Sequence, residues 1–235
     1  MLSRQGEMYI NASGDAGSAG GSGWNGAVAI APLKSIYIEA GGNFVPAGRN
    51  FAPPVIGSSQ PDYTTKFGYG SVGLFKYFTP NFGIDGEIGY GKGTTETYDA
   101  PGDYIYGEGT KGYDHSTVAY DRFHIQGGFN FRTNTQGDEK ADPWRTAIFE
   151  GAITERISFL YTTNYTIDHF DSSRTYLSST PKNYSNTFLE TGFTFRGGVE
   201  HLMLELQFGF STVLENQAII PYDGLILSVG IVSRF

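Results

Sequence analysis

The chain ends in the stretch Gly224-Leu-Ile-Leu-Ser-Val-Gly-Ile-Val-Ser-Arg-Phe235, in which apolar residues alternate with small or polar ones. Counting back from Phe235 in steps of two gives a mostly apolar set, Ser233, Ile231, Val229, Leu227 and Leu225. The other set is Arg234, Val232, Gly230, Ser228, Ile226 and Gly224. Because successive side chains of a strand point to opposite faces, this pattern predicts a strand that lies between lipid and the lumen of a barrel.

The composition favours an all-β chain of one domain. Glycine accounts for 33 of the 235 residues, aromatic residues for 15% and charged residues for only 17%. No apolar run approaches the roughly 18–20 residues of a transmembrane helix, so a membrane-spanning chain of this kind must be a closed barrel. A net charge of −8 without a basic stripe disfavours nucleic acid as a partner. The absence of cysteine excludes disulfides, and no cofactor is expected.

Alternating runs predict about ten strands, with eight as the alternative, near 7–13, 24–32, 35–45, 64–78, 82–97, 117–133, 144–163, 185–196, 201–213 and 223–235. The connections alternate in length. Some are tight, such as Thr79-Pro-Asn81, and the others are long and polar, at 14–23, 46–63, 98–116, 164–184 and 214–222. Such alternation is typical of outer-membrane barrels. We therefore predict one domain over 1–235, with a tail at 1–6, folded as a closed antiparallel up-and-down transmembrane barrel.

The polar faces of these strands carry charges that we expect to form an ion-paired network in the lumen. They are Glu39, Asp85, Glu87, Arg122, Arg132, Glu150, Arg156, Glu190, Arg196, Glu205 and Arg234. The set has no lysine, and arginine with carboxylate suits a crowded interior of bidentate pairs. A barrel this narrow is therefore predicted to be plugged. Glu155 and Lys76 do not fit the alternation and predict a bulge or an altered register.

Aromatic residues crowd the short turns and predict a girdle at that rim. They are Tyr77, Phe78, Phe82, Phe129, Phe131, Trp144, Phe193 and Phe195. The same alternation also fits a soluble ligand-binding barrel with its apolar face inward, which stays an alternative. The stretch Gly68–Gly73 has the spacing of a dinucleotide-binding loop, but it lies within a predicted strand and precedes no helix, so no nucleotide site is expected.

Four residues of the predicted long loops are candidates for catalysis. Asp114 with His115, and Asp168 with His169, would form an acid–base group if their loops converge. Some outer-membrane barrels are enzymes, among them the ten-stranded omptin-type proteases and the lipid A deacylases. An outer-rim hydrolase is therefore the alternative function. The chain has no short-spaced cluster of metal ligands, so no metal site is predicted.

Three stretches resemble bacterial outer-membrane barrels. The strand that stops at Phe235 resembles their C-terminal sorting signal. Leu2-Ser-Arg-Gln-Gly-Glu-Met8 and Ala119-Tyr-Asp-Arg-Phe-His-Ile-Gln126 resemble small barrels of Bacteroidota, some of them lipoproteins with a lipidated cysteine shortly before such an N-terminus. Met1–Gly6 has no apolar signal core, so we expect any export signal to have been removed.

The resemblance implies a location and a set of partners. The location is the bacterial outer membrane, with both termini periplasmic and the long loops extracellular. The partners are membrane lipid, the assembly machinery through the C-terminal strand, and other outer-membrane proteins. The predicted function is non-enzymatic: a structural or accessory subunit of a surface complex, with a plugged, ion-paired lumen.

Overall fold

The computed structural model describes residues 5–17, 22–46, 62–98, 105–106, 110–111, 113–133, 147–170, 176–181, 185–199, 201–216 and 225–235. The strands in these ranges are β1 (Met8–Gly17), β2 (Ser22–Leu33), β3 (Ile36–Val45), β4 (Asp62–Tyr77), β5 (Phe82–Tyr98), β6 (Ile105–Tyr106), β7 (Thr110–Lys111), β8 (Tyr113–Arg132), β9 (Ala147–Phe170), β10 (Tyr176–Pro181), β11 (Ser185–Val199), β12 (Leu202–Asn216) and β13 (Leu225–Arg234). Within the described ranges there is no helix with the length and hydropathy needed to cross a bilayer.

Ten of these strands close into an antiparallel barrel. Their order is β1-β2-β3-β4-β5-β8-β9-β11-β12-β13, and β13 pairs with β1 to close the ring. The closing register runs from Tyr9 opposite Arg234 to Gly17 opposite Ile226. The predicted fold class is therefore confirmed, with ten strands and not eight. Closure leaves no unpaired strand edge in the ring.

The strands extend beyond their predicted ends. β8 begins at Tyr113 and β9 continues to Phe170, so parts of the predicted long loops are strand. The outer part of β9 also pairs with β10, and β6 pairs with β7 as a short hairpin, neither of which the sequence indicated. The remaining parts of the predicted long loops, and the predicted turn at 134–143, lie outside the described residues.

Both ends of the described chain lie at the rim that carries the short turns. The Gly6 amide donates to the Ala31 carbonyl at 2.7 Å, and the Phe235 amide donates to the Met8 carbonyl at 2.9 Å. At the same rim the Phe78 amide donates to the Phe82 carbonyl at 2.9 Å and closes the turn between β4 and β5. The N- and C-terminal strands therefore start and end together, beside the tight connections.

The alternation of β13 separates an outer face from an inner face. Leu225, Leu227, Val229 and Ile231 are between 41% and 58% exposed, whereas Val232 is fully buried. The other barrel strands present apolar side chains outward in the same way, including Val28, Ile38, Val72, Ile88, Ile125, Ile157 and Leu204. This apolar exterior, which we call the belt, is the reverse of a soluble barrel, whose apolar side chains point inward.

Lys76 and Glu155 do not mark bulges, so that prediction was wrong. The register shifts in the barrel ladders fall elsewhere, in the pairings of β2 with β3, of β11 with β12 near Phe188, and of β8 with β9 near Ala119. Lys76 points outward at the rim, and its ammonium lies 5.8 Å from the centre of the Phe78 ring. Glu155 also points outward, and both of its carboxylate oxygens accept from the Thr191 hydroxyl, at 2.9 and 3.0 Å.

The aromatic girdle forms at the short-turn rim, with one exception. Phe78, Phe82 and Phe129 are between 46% and 59% exposed, and the rings of Phe82 and Phe129 stack with centroids 5.9 Å apart. Tyr77 instead faces inward and packs against the buried cluster that includes Tyr37. Trp144 lies outside the described residues. The outward rings are placed as expected for the boundary between lipid and water.

Inward glycines of β4 and β5 make room for large side chains in the lumen. A Cβ atom at Gly73 would lie 2.2 Å from the Tyr37 ring, and one at Gly89 would lie 2.3 Å from the His124 ring. The stretch Gly68–Gly73 is thus continuous strand, as its sequence context predicted. These glycines let a ten-stranded barrel hold aromatic rings that would otherwise exceed its diameter.

The outward position of Glu155 predicts a stabilising substitution. Replacing Glu155 with leucine removes a carboxylate from the lipid-facing surface, so the free energy of unfolding in lipid vesicles should rise by about 1 kcal/mol. The matched control is Glu205→Leu, the same exchange at a side chain that is only 1% exposed, which should lower the free energy of unfolding. Denaturant titration monitored by tryptophan fluorescence measures both. Equal effects of the two variants would contradict the assignment of faces.

Candidate functional site

The charged side chains predicted for the lumen of the barrel converge there. Alternation along each strand turns one polar set inward, and all eleven charged residues predicted for the lumen lie on that inner face. They form two groups, one near the short-turn rim around Glu150 and one nearer the middle of the barrel around Glu87. The groups differ in how completely their charges are paired.

Glu150 of β9 is the centre of the group near the rim. Its carboxylate accepts from Arg234 Nη2 at 2.9 and 2.7 Å, and Arg132 Nε lies 3.4 Å away. Arg196 Nη1 lies 3.9 Å from the same carboxylate, which is 2% exposed. Three arginines from three strands thus surround one buried carboxylate. A buried charge is tolerated only with such pairing.

A second pair in this group joins β11 to β12. Arg196 Nε donates to Glu205 Oε2 at 2.5 Å, and Arg196 Nη2 donates to the Tyr9 hydroxyl at 2.8 Å. The guanidinium also lies 4.8 Å from the centre of the Tyr9 ring. Asn11 donates to the other oxygen of Glu205. Tyr9 and Asn11 of β1 therefore supply further hydrogen bonds to the two charged groups, as a buried ion pair requires.

Glu7 completes the network at the rim. Arg234 Nε lies 2.8 Å from Glu7 Oε1. Glu7 begins the first predicted strand but was not among the charges predicted for the lumen. Its partner is the residue before the C-terminal phenylalanine, so this contact ties the start of the chain to its end.

The middle group is built around Glu87 of β5. The Tyr37 hydroxyl donates to Glu87 Oε2 at 2.8 Å, and His124 Nε2 lies 3.2 Å from Glu87 Oε1. Arg156 Nη2 is 3.8 Å from the same oxygen, and Arg156 Nε donates to Gln126 at 2.9 Å. His124 and Glu87 are 2% and 5% exposed, whereas the Arg156 side chain is 32% exposed, so the cluster is buried on the side of the histidine and open on the side of the arginine.

Arg122 and Glu190 form the remaining ion pair of the middle group. They are in direct contact, and the Ser158 hydroxyl donates to Glu190 at 2.6 Å. Arg122 also lies 5.6 Å from the centre of the Phe67 ring. The pair connects β8 to β11 across β9, which contributes the serine.

Glu39 and Asp85 depart from the predicted ion pairing. Glu39 accepts from the Tyr69 hydroxyl at 2.6 Å, and Asp85 accepts from the side-chain amide of Asn130. Among the described residues, neither carboxylate has a cation within 4 Å. Neutral donors therefore replace arginine on this side of the lumen. Tyr69 was missed because the predicted network contained only charged side chains.

Apolar layers accompany the charges. Tyr9, Tyr37, Phe75, Met203 and Val232 form one buried cluster beside the Glu150 group. A second cluster towards the other rim contains Val118, Tyr120, Leu160, Tyr165 and Phe188. A cavity of about 440 Å³ occupies part of the lumen, and Asn11, Glu39, Tyr69 and Arg156 are among its lining residues.

The four candidates for catalysis lie in strand extensions, not in loops. His115 of β8 is opposite Asp168 of β9, and His115 Nδ1 lies 4.0 Å from Asp168 Oδ2. Asp114 is opposite His169 in the same ladder, but their side chains lie outside the described part of the structure. The 4.0 Å separation exceeds hydrogen-bond length. Across the described residues, no group of three or more His, Asp or Glu could hold a metal ion.

The closed antiparallel barrel with an apolar exterior is the architecture of bacterial outer-membrane proteins. No protein-family model and no curated protein matches the sequence.

Solved structures similar to the chain include the translocator domain of autotransporter NalP from Neisseria meningitidis, with 10% identity, coverage of 98% of this chain and 88% of that one, and a TM-score of 0.48. A major outer membrane protein from Thermus thermophilus has 12% identity, 97% and 99% coverage, and a TM-score of 0.42. The N-terminal β-barrel domain of Pseudomonas aeruginosa OprF has 8% identity, 98% coverage of both chains and a TM-score of 0.37.

The buried network predicts a large cost for removing one arginine. Arg234→Met leaves the Glu150 and Glu7 carboxylates without their nearest cation, so the free energy of unfolding in detergent micelles should fall by about 3–5 kcal/mol. The control is Lys92→Met, which removes an exposed lysine 3.7 Å from Asp121 and should cost at most about 1 kcal/mol. Guanidinium titration measures both values. An equal cost for the two variants would contradict a structural role for the network.

Proposed function

We propose that the protein is a non-enzymatic barrel of the bacterial outer membrane whose lumen is plugged by ion-paired and apolar layers. The observation that carries this proposal is the Glu150 group, in which one carboxylate meets three arginines inside the barrel. The belt supports the membrane location, because an exterior of exposed leucine, isoleucine and valine suits lipid and not water.

Burial at the short-turn rim supports a closed lumen. Met203, Val232, Glu150 and Arg234 are each at most 3% exposed. Four side chains from three strands (β9, β12 and β13) thus exclude water at the same level. A pore for hydrophilic solutes needs a continuous aqueous path, which wider barrels provide and narrow filled ones do not. Transport through this lumen is therefore not part of the proposal.

The proposed orientation places both termini and the short turns in the periplasm and the long connections outside the cell. It is supported by the position of the short turns and both chain ends at one rim, the arrangement of outer-membrane barrels. In this orientation the assembly machinery engages β13, whose partner in the finished barrel is β1. The narrower resemblance to Bacteroidota barrels with a lipidated cysteine stays a prediction from the sequence.

An accessory role in a larger complex is supported by the outer surface around Glu155. The carboxylate lies midway along the outward row of β9, between Phe149 and Tyr161, where lipid would otherwise contact it. Ionisable side chains at membrane depth are costly and usually serve a function. We infer that another membrane-embedded protein brings a hydrogen-bond donor to Glu155. Gly127, which is opposite Glu155 in the ladder, leaves space beside it.

An outer-rim hydrolase is the second candidate, favoured by the adjacent His115 and Asp168. A histidine beside a carboxylate is the core of many acid–base sites. The pair points away from the lumen on a regular ladder, and among the described residues neither side chain lines a cavity. The non-enzymatic proposal therefore fits the described geometry better.

Reconstitution in planar lipid bilayers tests the proposed function. The barrel should require detergent for extraction and, once inserted, should give no stable conductance steps, because its lumen is filled. Insertion is verified independently by resistance of the strands to protease. Recovery in the aqueous fraction without detergent would contradict the membrane location, and regular conductance steps would contradict the plugged lumen.

A further inference from the structure

The inner face of the barrel carries more acidic than basic side chains. Its described carboxylates number eight: Glu7, Asp15, Glu39, Asp85, Glu87, Glu150, Glu190 and Glu205. Its described cations are five arginines: Arg122, Arg132, Arg156, Arg196 and Arg234. Even with the His124 ring counted as a cation, the carboxylates are in excess. Because a charge held away from water needs an opposite charge close to it, this inner face calls for cations beyond its own arginines.

Three of these carboxylates have no cation within 4 Å in the part of the chain that the structure describes. Glu39 accepts from the Tyr69 hydroxyl at 2.6 Å, and Asp85 accepts from the side-chain amide of Asn130, both neutral donors. Asp15 Oδ1 is buried and accepts no hydrogen bond from any described residue. Each of the other carboxylates lies within 4 Å of an arginine. The excess of negative charge is therefore located at Asp15, Glu39 and Asp85.

The three carboxylates without a cation line the same cavity. The lumen cavity of about 440 Å³ is bounded by all of them: Asp15 of β1, Glu39 of β3 and Asp85 of β5. Three arginines also line it, each within 4 Å of another carboxylate: Arg122, Arg156 and Arg196. Arg156 attracts Glu39 as well as Glu87, so one guanidinium is shared between two carboxylates. The wall of the cavity is therefore negatively charged overall.

An uncharged acceptor lies beside Asp85. Asn130 lines the cavity and is only 3% exposed. Because its amide nitrogen donates to the Asp85 carboxylate, its Oδ1 atom must be an acceptor, and no described residue donates to that oxygen. A buried acceptor without a donor is costly. The surroundings of Asp85 therefore suit a group that is positively charged and also donates hydrogen bonds, which describes an ammonium group.

The acceptors are too widely spread for one metal ion. Over the described ranges, no three His, Asp or Glu side chains could hold a metal ion together. Glu39 is opposite Ser71, and Ser71 is opposite Gly89, which is four residues from Asp85 along β5. With strands about 4.8 Å apart and a rise of about 3.3 Å per residue, the Cα atoms of Glu39 and Asp85 are roughly 15 Å apart. A flexible chain with separate ammonium groups suits this spacing, whereas a single ion would pair with one carboxylate only.

The wall between the carboxylates suits methylene groups. Ala27 and Ala29 line the cavity on β2, between the strands of Asp15 and Glu39, and Ala29 is opposite Glu39 in the ladder. Phe75 lines it beside Asp85, its partner in the ladder between β4 and β5. Methyl groups and aromatic rings are suitable contacts for an aliphatic chain, and the rings also attract cations.

We propose that the lumen cavity binds a linear aliphatic polyamine, whose ammonium groups pair with Asp85, Glu39 and Asp15. Its methylene groups lie against the alanines and the aromatic rings, and Asn130 Oδ1 accepts a second hydrogen bond from the ammonium group at Asp85. The Glu150 group lies nearer the short-turn rim and keeps its own arginines, so the plug and the polyamine site are separate. The proposal goes beyond the proposed function, because it depends on the charges of the lumen and not on the membrane location.

Isothermal titration calorimetry of the barrel in a non-ionic detergent at pH 7 tests the site. The probe is spermidine, a linear triamine, and the wild-type barrel should bind one molecule of it. The double variant E39Q/D85N should bind spermidine about a hundredfold more weakly, about tenfold for each charged hydrogen-bond acceptor that is lost. The compound 1,8-octanediol, which has a similar length but hydroxyl groups at its ends and no charge, should not bind.

Asp121→Asn is the matched control, because it makes the exchange of Asp85→Asn at an aspartate on the outer face. It should bind spermidine as the wild type does. Equal weakening in Asp121→Asn, unchanged binding in E39Q/D85N, or displacement of spermidine by an equal concentration of Mg²⁺ would each overturn the proposal. A measurement on the wild type alone gives a second test: spermidine should raise the midpoint of thermal unfolding, and an unchanged midpoint would also overturn the site.

The chain's own first residues provide one further comparison. Residues 1–4 lie outside the described ranges and carry Arg4 and the α-amino group. A chain without them should bind spermidine as the full chain does, and binding only after their removal would rule out an external ligand. A barrel that conducts ions but binds spermidine contradicts the plugged lumen and not this site. A non-conducting barrel that binds no spermidine contradicts this site alone.

Discussion

The ion pairing around Glu150 is the constraint on which the rest of the barrel depends. A carboxylate that is 2% exposed is stable only if cations reach it in defined geometry, and here they come from β8, β11 and β13. Those contacts require four strands to hold one register. A shift of one residue in any of them would turn its charge towards lipid, where it would be unpaired.

The same constraint explains how the lumen is filled. The inward charges are hydrogen-bonded by large side chains. A ten-stranded barrel has room for such side chains only where the neighbouring strand carries a small residue. Gly73 and Gly89 supply that room for Tyr37 and His124, and Tyr37 and His124 in turn hold Glu87. The packing of the inward tyrosine and carboxylate therefore depends on the glycine beside them. The exterior is free of this demand and is largely apolar; its polar groups include Glu155 with the Thr191 hydroxyl, and the pair of Lys92 with Asp121.

The strand alternation was predictable because a period of two needs only the order of residues. It gave the ten strands, the inward charges and the outward face of β13. The strand ends were not predictable, because polar residues such as Ser116 and Thr166 suit a solvated strand as well as a loop. The inward tyrosines were missed because tyrosine fits both a lipid boundary and a polar lumen. Lys76 was misjudged because the sequence does not show that this residue lies at the rim, and Glu155 because the sequence does not show the Thr191 hydroxyl beside it.

The central claim is that one face of each strand meets lipid while the other meets a filled lumen. Because the chain has no cysteine, single-cysteine variants of β13 can carry a nitroxide label for electron paramagnetic resonance in lipid vesicles. Collision with oxygen, which concentrates in lipid, should be strong at Leu227, Val229 and Ile231 and weak at Ser228. Collision with a water-soluble nickel chelate should be weak at all four positions. Strong nickel collision at Ser228 would show an open aqueous lumen, and strong nickel collision at Val229 would contradict the lipid-facing belt.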